Sequence, residues 1–494
     1  MNRFGLSASV SDAATLKAAV KHLRDRSIIL PTFAELENPE RIPAEHALDI
    51  TRADPDAADW RNLFRIHWHN SADRRQYVPV PAHLVLPRSL TGVDAPIAVV
   101  LGDRFPMISA HKVLAAYGCL VPRLVTGRFD PTWQRAVWPS TGNYCRGGVA
   151  VSRIMGCRGV AVLPAKMSQE RFSWLRDWVG SPEDIIRTPG SESNVKEIYD
   201  ECASLQMRPE NVILNQFCEF GNTLAHYRVT GRALSRLVEY LTESHQQLRA
   251  FAFISATGSA GTIAAGDRLK ESFGSRVVAV EAIECPTLLR NGYGEHHIQG
   301  IGDKHIPYIH NVYNTDDIVG ISDAATDALY YLANSSVGQT LLSARGVPDG
   351  LTRLLGNLGF SAWANILAAI AIARSYRLGP DDLLLTVATD SGALYRSEQE
   401  RILRDRFRGS FDVARAAEAF GQYVLGGAAQ HLQLGNEHRD RIFNLGYFTW
   451  VEQQGVLLEE FAARRSQSFW VGMRALTDQW DERIRAFNAR AAGD

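Results

Sequence analysis

The feature that most constrains this chain is a set of short apolar runs between about Ala95 and Glu400: Ile97 to Leu101, Gly159 to Leu163, Phe251 to Ile254, Val277 to Val280 and Leu383 to Val387. Each of the last four is flanked on at least one side by an amphipathic helical pattern. Strands covered on both faces read as continuous apolar runs, so alternation of such runs with helices predicts an open, largely parallel α/β sheet. The texture differs on either side. Residues 1–94 mix short helical patterns with proline-containing loops, and Trp60, Phe64 and Trp68 recur at a spacing that predicts one helix face. Residues 401–494 carry arginines, acids and the aromatics Trp450, Phe461, Trp470 and Trp480 at helical spacing, with Met473 among them. The reading is an N-terminal extension packed on an α/β core, followed by a helical C-terminal extension, with no internal repeat.

Composition removes several classes of function. At 46% hydrophobic and 22% charged residues the 494-residue chain is not a disordered one. Its 53 basic and 54 acidic residues give a formal net charge of −1, which favours neither nucleic acid nor an anionic membrane and points to a small-molecule partner. The longest uncharged stretch, Leu354 to Ala373, is interrupted by Gly356, Asn357, Gly359, Ser361 and Asn365, and predicts a loop entering a buried helix, not a membrane span. Lys17, Lys21, Arg24, Asp25 and Arg26 break any signal-peptide apolar region, so no export is expected. The cysteines form no CxxC pair and the histidines no zinc-binding spacing, which predicts reduced thiols, a cytoplasmic location and no metal.

Four segments can carry chemistry. Ser109-Ala110-His111-Lys112 follows the first apolar run and opens a helical pattern; a lysine held in a protected pocket can form a Schiff base, although a lysine near a helix start is usually solvated. Pro139-Ser140-Thr141-Gly142-Asn143-Tyr144 precedes a small-residue helix and offers donors to a carboxylate, or is an N-cap turn. Ser255 to Thr262 is a small-residue turn from strand to helix; it suits a phosphate but lacks the glycine spacing and lysine of nucleotide-binding loops, and packing alone also produces such turns. Thr389-Asp390-Ser391-Gly392 lies directly after the last apolar run, where α/β proteins place ligand contacts, or is a turn.

In this order the four segments resemble the fold-type II pyridoxal-phosphate enzymes, the family of cysteine synthase, cystathionine β-synthase, threonine dehydratase and the tryptophan synthase β subunit. Pro164-Ala165-Lys166-Met167-Ser168-Gln169-Glu170-Arg171 is similar to the Pro-x-x-Met-Ser-x-Glu-Arg stretch of cysteine synthases. Asn215-Gln216-Phe217 with Asn222, Ile298-Gln299-Gly300-Ile301-Gly302 and Gly359-Phe360-Ser361 also have counterparts there, so the resemblance runs from about Ala95 to Ser397. It implies two open, largely parallel α/β lobes: a large cofactor-binding lobe of residues 95–120 and 230–400, and a small mobile lobe of residues 121–229. It also implies pyridoxal 5′-phosphate as cofactor and a homodimer.

Carried over, the resemblance makes Lys112 the Schiff-base lysine and general base, and Asn143 the partner of the ring hydroxyl. Ser140, Thr141 and Gly142, assisted by Gln216, would hold the substrate carboxylate. Gly258, Ser259, Ala260, Gly261 and Thr262 would bind the phosphate, and Ser391 would face the pyridine nitrogen. A neutral hydroxyl there leaves that nitrogen unprotonated, which implies β-elimination or β-replacement on a small α-amino acid through an aminoacrylate more than transamination. The alternatives are a serine/threonine-type dehydratase or ammonia-lyase releasing a keto acid, and, in a different class, a non-catalytic cofactor-binding scaffold. The chain departs from the short enzymes at Ser259 and Ala260, at Tyr144 and Cys145, at Trp363, at Asp303-Lys304-His305, where a charged substrate end or a surface turn is expected, and at the tail stretch Tyr447 to Gly455, read as packing, a lid or a dimer contact. It resembles a longer cysteine-synthase-like subgroup of unassigned reaction.

Overall fold

The computed structural model describes residues 4–427 and 429–493, so the outermost residues of both expected extensions lie outside the described part. Eleven strands run β1 (His83–Leu86), β2 (Ile97–Leu101), β3 (Arg135–Pro139), β4 (Arg158–Pro164), β5 (Ile185–Thr188), β6 (Asn211–Ile213), β7 (Arg249–Ala256), β8 (Arg276–Ala282), β9 (Asp317–Ile321), β10 (Asp382–Ala388) and β11 (Gln430–Gln433). They form a seven-stranded sheet of order β1-β2-β10-β7-β8-β9-β11 and a four-stranded sheet of order β5-β4-β3-β6. The smaller sheet is parallel throughout, and in the larger only the two outer pairs are antiparallel. Every residue of β2 and of β10 is buried, which is why β2 appears in the sequence as an unbroken apolar run and β10 as one interrupted only by Thr386 between Leu383 and Val387.

The five apolar runs fall on β2, β4, β7, β8 and β10. The strands they leave unmarked are shorter or carry polar ends, as β3 does with Arg135 and β6 with Asn211. The expected extensions are less separate than composition suggests. β1 pairs with β2 and β11 pairs with β9, so each extension supplies one edge of the larger sheet. The stretch around Leu354 to Ala373 turns at Gly356 to Gly359 and then enters the buried helix Phe360–Ser375; among the described residues no helix is long and apolar enough to cross a membrane.

Trp60, Phe64 and Trp68 do not share one helix face. A 3-10 helix ends at Arg65, Trp60 and Phe64 pack with ring centroids 6.0 Å apart, and Trp68 turns inward to donate its indole N–H to Thr230 Oγ1 at 2.8 Å. A buried indole N–H needs an acceptor, and that requirement overrides the helical spacing. In the C-terminal segment Trp450, Phe461, Trp470, Met473 and Trp480 are all buried. Trp450 donates to the carbonyl of Ile306 at 2.7 Å, so part of the Tyr447 to Gly455 stretch packs on the core. Trp480 packs on Phe33 and donates to Ser7 O at 2.9 Å, while Asp481 accepts from the N–H groups of Phe33 and Ala34; the two extensions are thereby joined.

Helix packing around the end of β2 is unusually close. A Cβ on Gly147 would lie 2.9 Å from the carbonyl oxygen of Lys112, and Cβ atoms on Gly118 and Gly221 would lie 2.6 and 2.1 Å from each other's carbonyl oxygens. The helices Lys112–Val125, Asn143–Ile154 and Phe220–Ala225 therefore touch backbone to backbone. Trp480→Ala is expected to remove about 3–5 kcal/mol of stability and lower the urea unfolding midpoint; an unchanged midpoint would show that the joined extensions do not contribute to the cooperative unit.

Candidate active site

The carboxyl ends of β3, β7 and β10 lead into turns that meet in a cleft with about 610 Å³ of free space, open solvent at its mouth included. Such strand ends are where open α/β sheets bind ligands. Lys112, at the first turn of its helix, sends its amine into this cleft, donating to Gln216 Oε1 at 3.1 Å and Ser259 Oγ at 3.2 Å. Both partners are neutral. Burial lowers the Lys112 amine from the ordinary lysine range to about 8, and Glu192 opposes that shift through its charge.

The turn from β7 to the helix Ala264–Phe273 brings Gly258, Ser259, Ala260, Gly261 and Thr262 to the cleft wall. Ala260 is left-handed at φ 64°, and a Cβ on Gly261 would fall 2.1 Å from Asn222 Oδ1, so a side chain there would have to displace the buried Asn222. Asn222 in turn donates to Ser259 Oγ and to Gln216 O, both at 3.0 Å. Opposite stands the turn after β3. Ser140, Thr141 and Asn143 line the cleft; Gly142, between them, has φ 142° and leaves no space for a Cβ beside Arg171. Asn143 Nδ2 donates to Asp390 Oδ2 at 2.6 Å.

Ser391 is not brought to the cleft wall. Its hydroxyl accepts from the N–H of Ala393 and so caps the 3-10 helix Gly392–Tyr395, and its own N–H is bonded to Ser109 O. The hydroxyls that line the cleft at this end are Ser361 and Thr389, 2.8 Å apart. Both lay within stretches marked in the sequence, but spacing could not say which hydroxyl faces inward. His111, Tyr144, Phe217 and the Gly300 to Gly302 turn complete the wall. Tyr144 also donates to Leu214 O at 3.0 Å, whereas Cys145, Trp363 and Asp303 are buried behind the lining. Asp303 is paired with His305 at 3.2 Å and is therefore not part of an exposed turn.

A buried ionic network crosses from the smaller sheet's elements to those of the larger. Arg171 donates to Thr141 O at 3.0 Å, Gln299 Oε1 at 2.9 Å and Tyr395 Oη at 2.9 Å, and lies 3.8 Å from Glu192 and 4.0 Å from Asp390. Glu192 accepts from the Thr141 hydroxyl and from Gly300 N, the latter at 2.6 Å. Burial pushes Glu192 up to about 7 against the pull of Arg171, and raises Asp390 as well. Nothing in the sequence marks Glu192, a lone acid in a serine-rich turn, or Tyr395; apart from the Tyr395 bond to Asp390, their partners lie tens to hundreds of residues away. Reductive methylation of the unliganded chain should modify Lys112 with a rate that rises with pH and levels off near about 8; by peptide mass mapping, a profile that keeps rising towards pH 10 would show an ordinary solvated lysine.

No family model matches the chain. It is 27% identical over 288 residues to a probable cysteine synthase of Bacillus subtilis, covering 58% of this chain and 84% of that one. It is also 27% identical over 257 residues to cysteine synthase B of Campylobacter jejuni, covering 51% and 75%. Among solved structures, the O-acetylserine-dependent cystathionine β-synthase of Helicobacter pylori superposes with a TM-score of 0.52 at 22% identity, over 64% of this chain and 94% of that one. With two α/β units and one cleft assembled in the expected order of segments, the chain is similar in sequence and in fold to cysteine synthases and cystathionine β-synthases.

Proposed function

We propose that this protein is a pyridoxal-phosphate-dependent enzyme that carries out β-replacement or β-elimination on a small α-amino acid bearing a leaving group at Cβ. The observation that carries the reading is a desolvated primary amine, held by neutral partners, in the same cleft as a loop shaped for a phosphate. The residues present fit that cofactor: a Cβ at Gly261 would have to displace Asn222, the turn precedes a helix, and the amine is poised to react. The relatives, cysteine synthases and an O-acetylserine-dependent cystathionine β-synthase, support the same class of substrate. A cytoplasmic homodimer belongs to the same reading, in line with the six free cysteines and the family resemblance.

Bound here, pyridoxal phosphate would supply an aldehyde for the lysine amine and an electron-withdrawing ring. The chain's own residues supply the rest. Lys112, lowered to about 8, holds far more of the neutral, reactive amine near neutral pH than an ordinary lysine does, and is the base within reach of a substrate α-proton. Gln216 and Ser259 fix where that amine points. The 258–262 turn would hold the phosphate through its N–H groups, Asn143 the ring hydroxyl, and Ser140, Thr141 and Gly142 with Gln216 the substrate carboxylate. In place of Ser391, the Ser361 and Thr389 hydroxyls are the neutral groups available to the ring nitrogen. Asp390, the acid nearest that end, has Oδ2 committed to Asn143 and Tyr395 and does not line the cleft. Without an acid to protonate it the ring is a modest electron sink, which suits prompt departure of a Cβ substituent.

Titration of the purified chain with pyridoxal phosphate should develop a visible absorption band that Lys112→Ala abolishes, and Gly261→Ala should weaken binding at least about tenfold through its collision with Asn222. Absence of the band in the unaltered chain would overturn the assignment. With the band in place, O-acetylserine, cysteine, serine and threonine are offered in turn, with and without sulfide. A new β-substituted amino acid marks replacement, keto acid with ammonia marks elimination, and no turnover of any would leave a cofactor-binding scaffold.

A further inference from the structure

His111, the residue before the reactive lysine, is buried at 1% exposure, and both its ring nitrogens are bonded. Nδ1 lies 2.9 Å from the carbonyl oxygen of Thr389, and Nε2 lies 3.0 Å from Thr262 Oγ1. A carbonyl only accepts, so Nδ1 carries the hydrogen. In a neutral imidazole Nε2 is then bare and must accept, which commits the Thr262 hydroxyl proton to His111. Thr262 therefore turns lone pairs towards the cleft, an arrangement that repels an arriving anion. Burial, with Lys112 adding to it, holds the imidazole down to about 3, so the unliganded protein keeps it neutral.

The groups facing His111 leave one source of compensating charge. Trp68 stacks on its ring at 5.8 Å, and the His226 ring meets it edge-on at 5.0 Å. His226 is itself held neutral by burial, with Nδ1 2.8 Å from Thr230 Oγ1. Lys112 opposes protonation, and no carboxylate is among the hydrogen-bond partners of His111. The negative charge has to come with the ligand.

Building on the cofactor reading above, we propose that His111 is a positioning residue that takes a proton at Nε2 when a phosphate dianion enters the 258–262 turn, so that Thr262 reverses from donating to the imidazole to accepting from it and donating to the phosphate. The proton comes from the protonated buffer acid, whose bond to it breaks as the Nε2–H bond forms; no other covalent bond changes. Binding of the phosphate group is thus linked to uptake of one proton.

The test uses the full chain and pyridoxine 5′-phosphate, whose alcohol cannot condense with Lys112, at about pH 8, where the phosphate is a dianion. Calorimetric titrations in buffers of differing ionisation enthalpy give the protons taken up per molecule bound. The unaltered chain is expected to take up about one proton more than His111→Asn and Thr262→Val, both of which should also bind about tenfold more weakly. Thr262→Val breaks the relay from its other end, so the comparison does not depend on the folding of His111→Asn. Equal uptake by the unaltered chain and a folded variant would overturn the proposal while leaving the cofactor reading intact. No binding to the unaltered chain, together with no visible band with pyridoxal phosphate, would overturn both.

Discussion

An amine taken out of water without an acid beside it is the constraint on which the rest of this site depends. Desolvation disfavours the ammonium, and the neutral oxygens of Gln216 and Ser259 do not restore it as a bonded carboxylate would. Glu192 is close enough to act on the amine through its charge, yet its Oε1 bonds to Thr141 and Gly300; Asp390 Oδ2 bonds to Asn143 and Tyr395, and Arg171 lies between the two acids. The buried ionic network thus has two effects: it ties elements of the two sheets together, and it keeps carboxylates from pairing with the lysine. Such a network contributes little net stability, since desolvation offsets most of the attraction, but removal of Arg171 alone would leave Glu192 buried without its cationic neighbour and Asp390 with Arg146 only.

The added segments act on the same region from outside. The C-terminal part bonds to the loop just beyond Gly302 through Trp450 to Ile306 O and Arg464 to Tyr308 O, and Arg464 lies over the Tyr308 ring at 4.0 Å. That loop continues from the Gly300 to Gly302 wall of the cleft. In this chain, therefore, a wall of the site is buttressed by residues about 150 positions further along.

What was legible in the sequence was whatever is local. The runs on β2, β4, β7, β8 and β10 were visible because burial on both faces makes them almost wholly apolar; the asparagine and glycine-rich turns were visible because each directly follows a strand and opens a helix, and the lysine because it opens the helix that comes after β2. Illegible were features decided by distant partners. Whether Ser391 or Thr389 faces the cleft depends on Ser391 being used to cap the next turn, and Trp68 leaves its helical spacing because Thr230 offers the acceptor. Glu192 has no local signature at all; only the approach of Thr141 and Gly300 defines it.

The backbone contact at Gly147 has a kinematic consequence. With Gly147 pressed on the carbonyl of Lys112, no side chain separates the helix bearing the lysine from the helix opened by Asn143, and a side chain added at that contact would force the two apart. The lysine backbone and the asparagine turn are therefore spaced by main-chain contact, whereas the Glu192 turn meets Gly300 through a hydrogen bond, a link that can break and re-form.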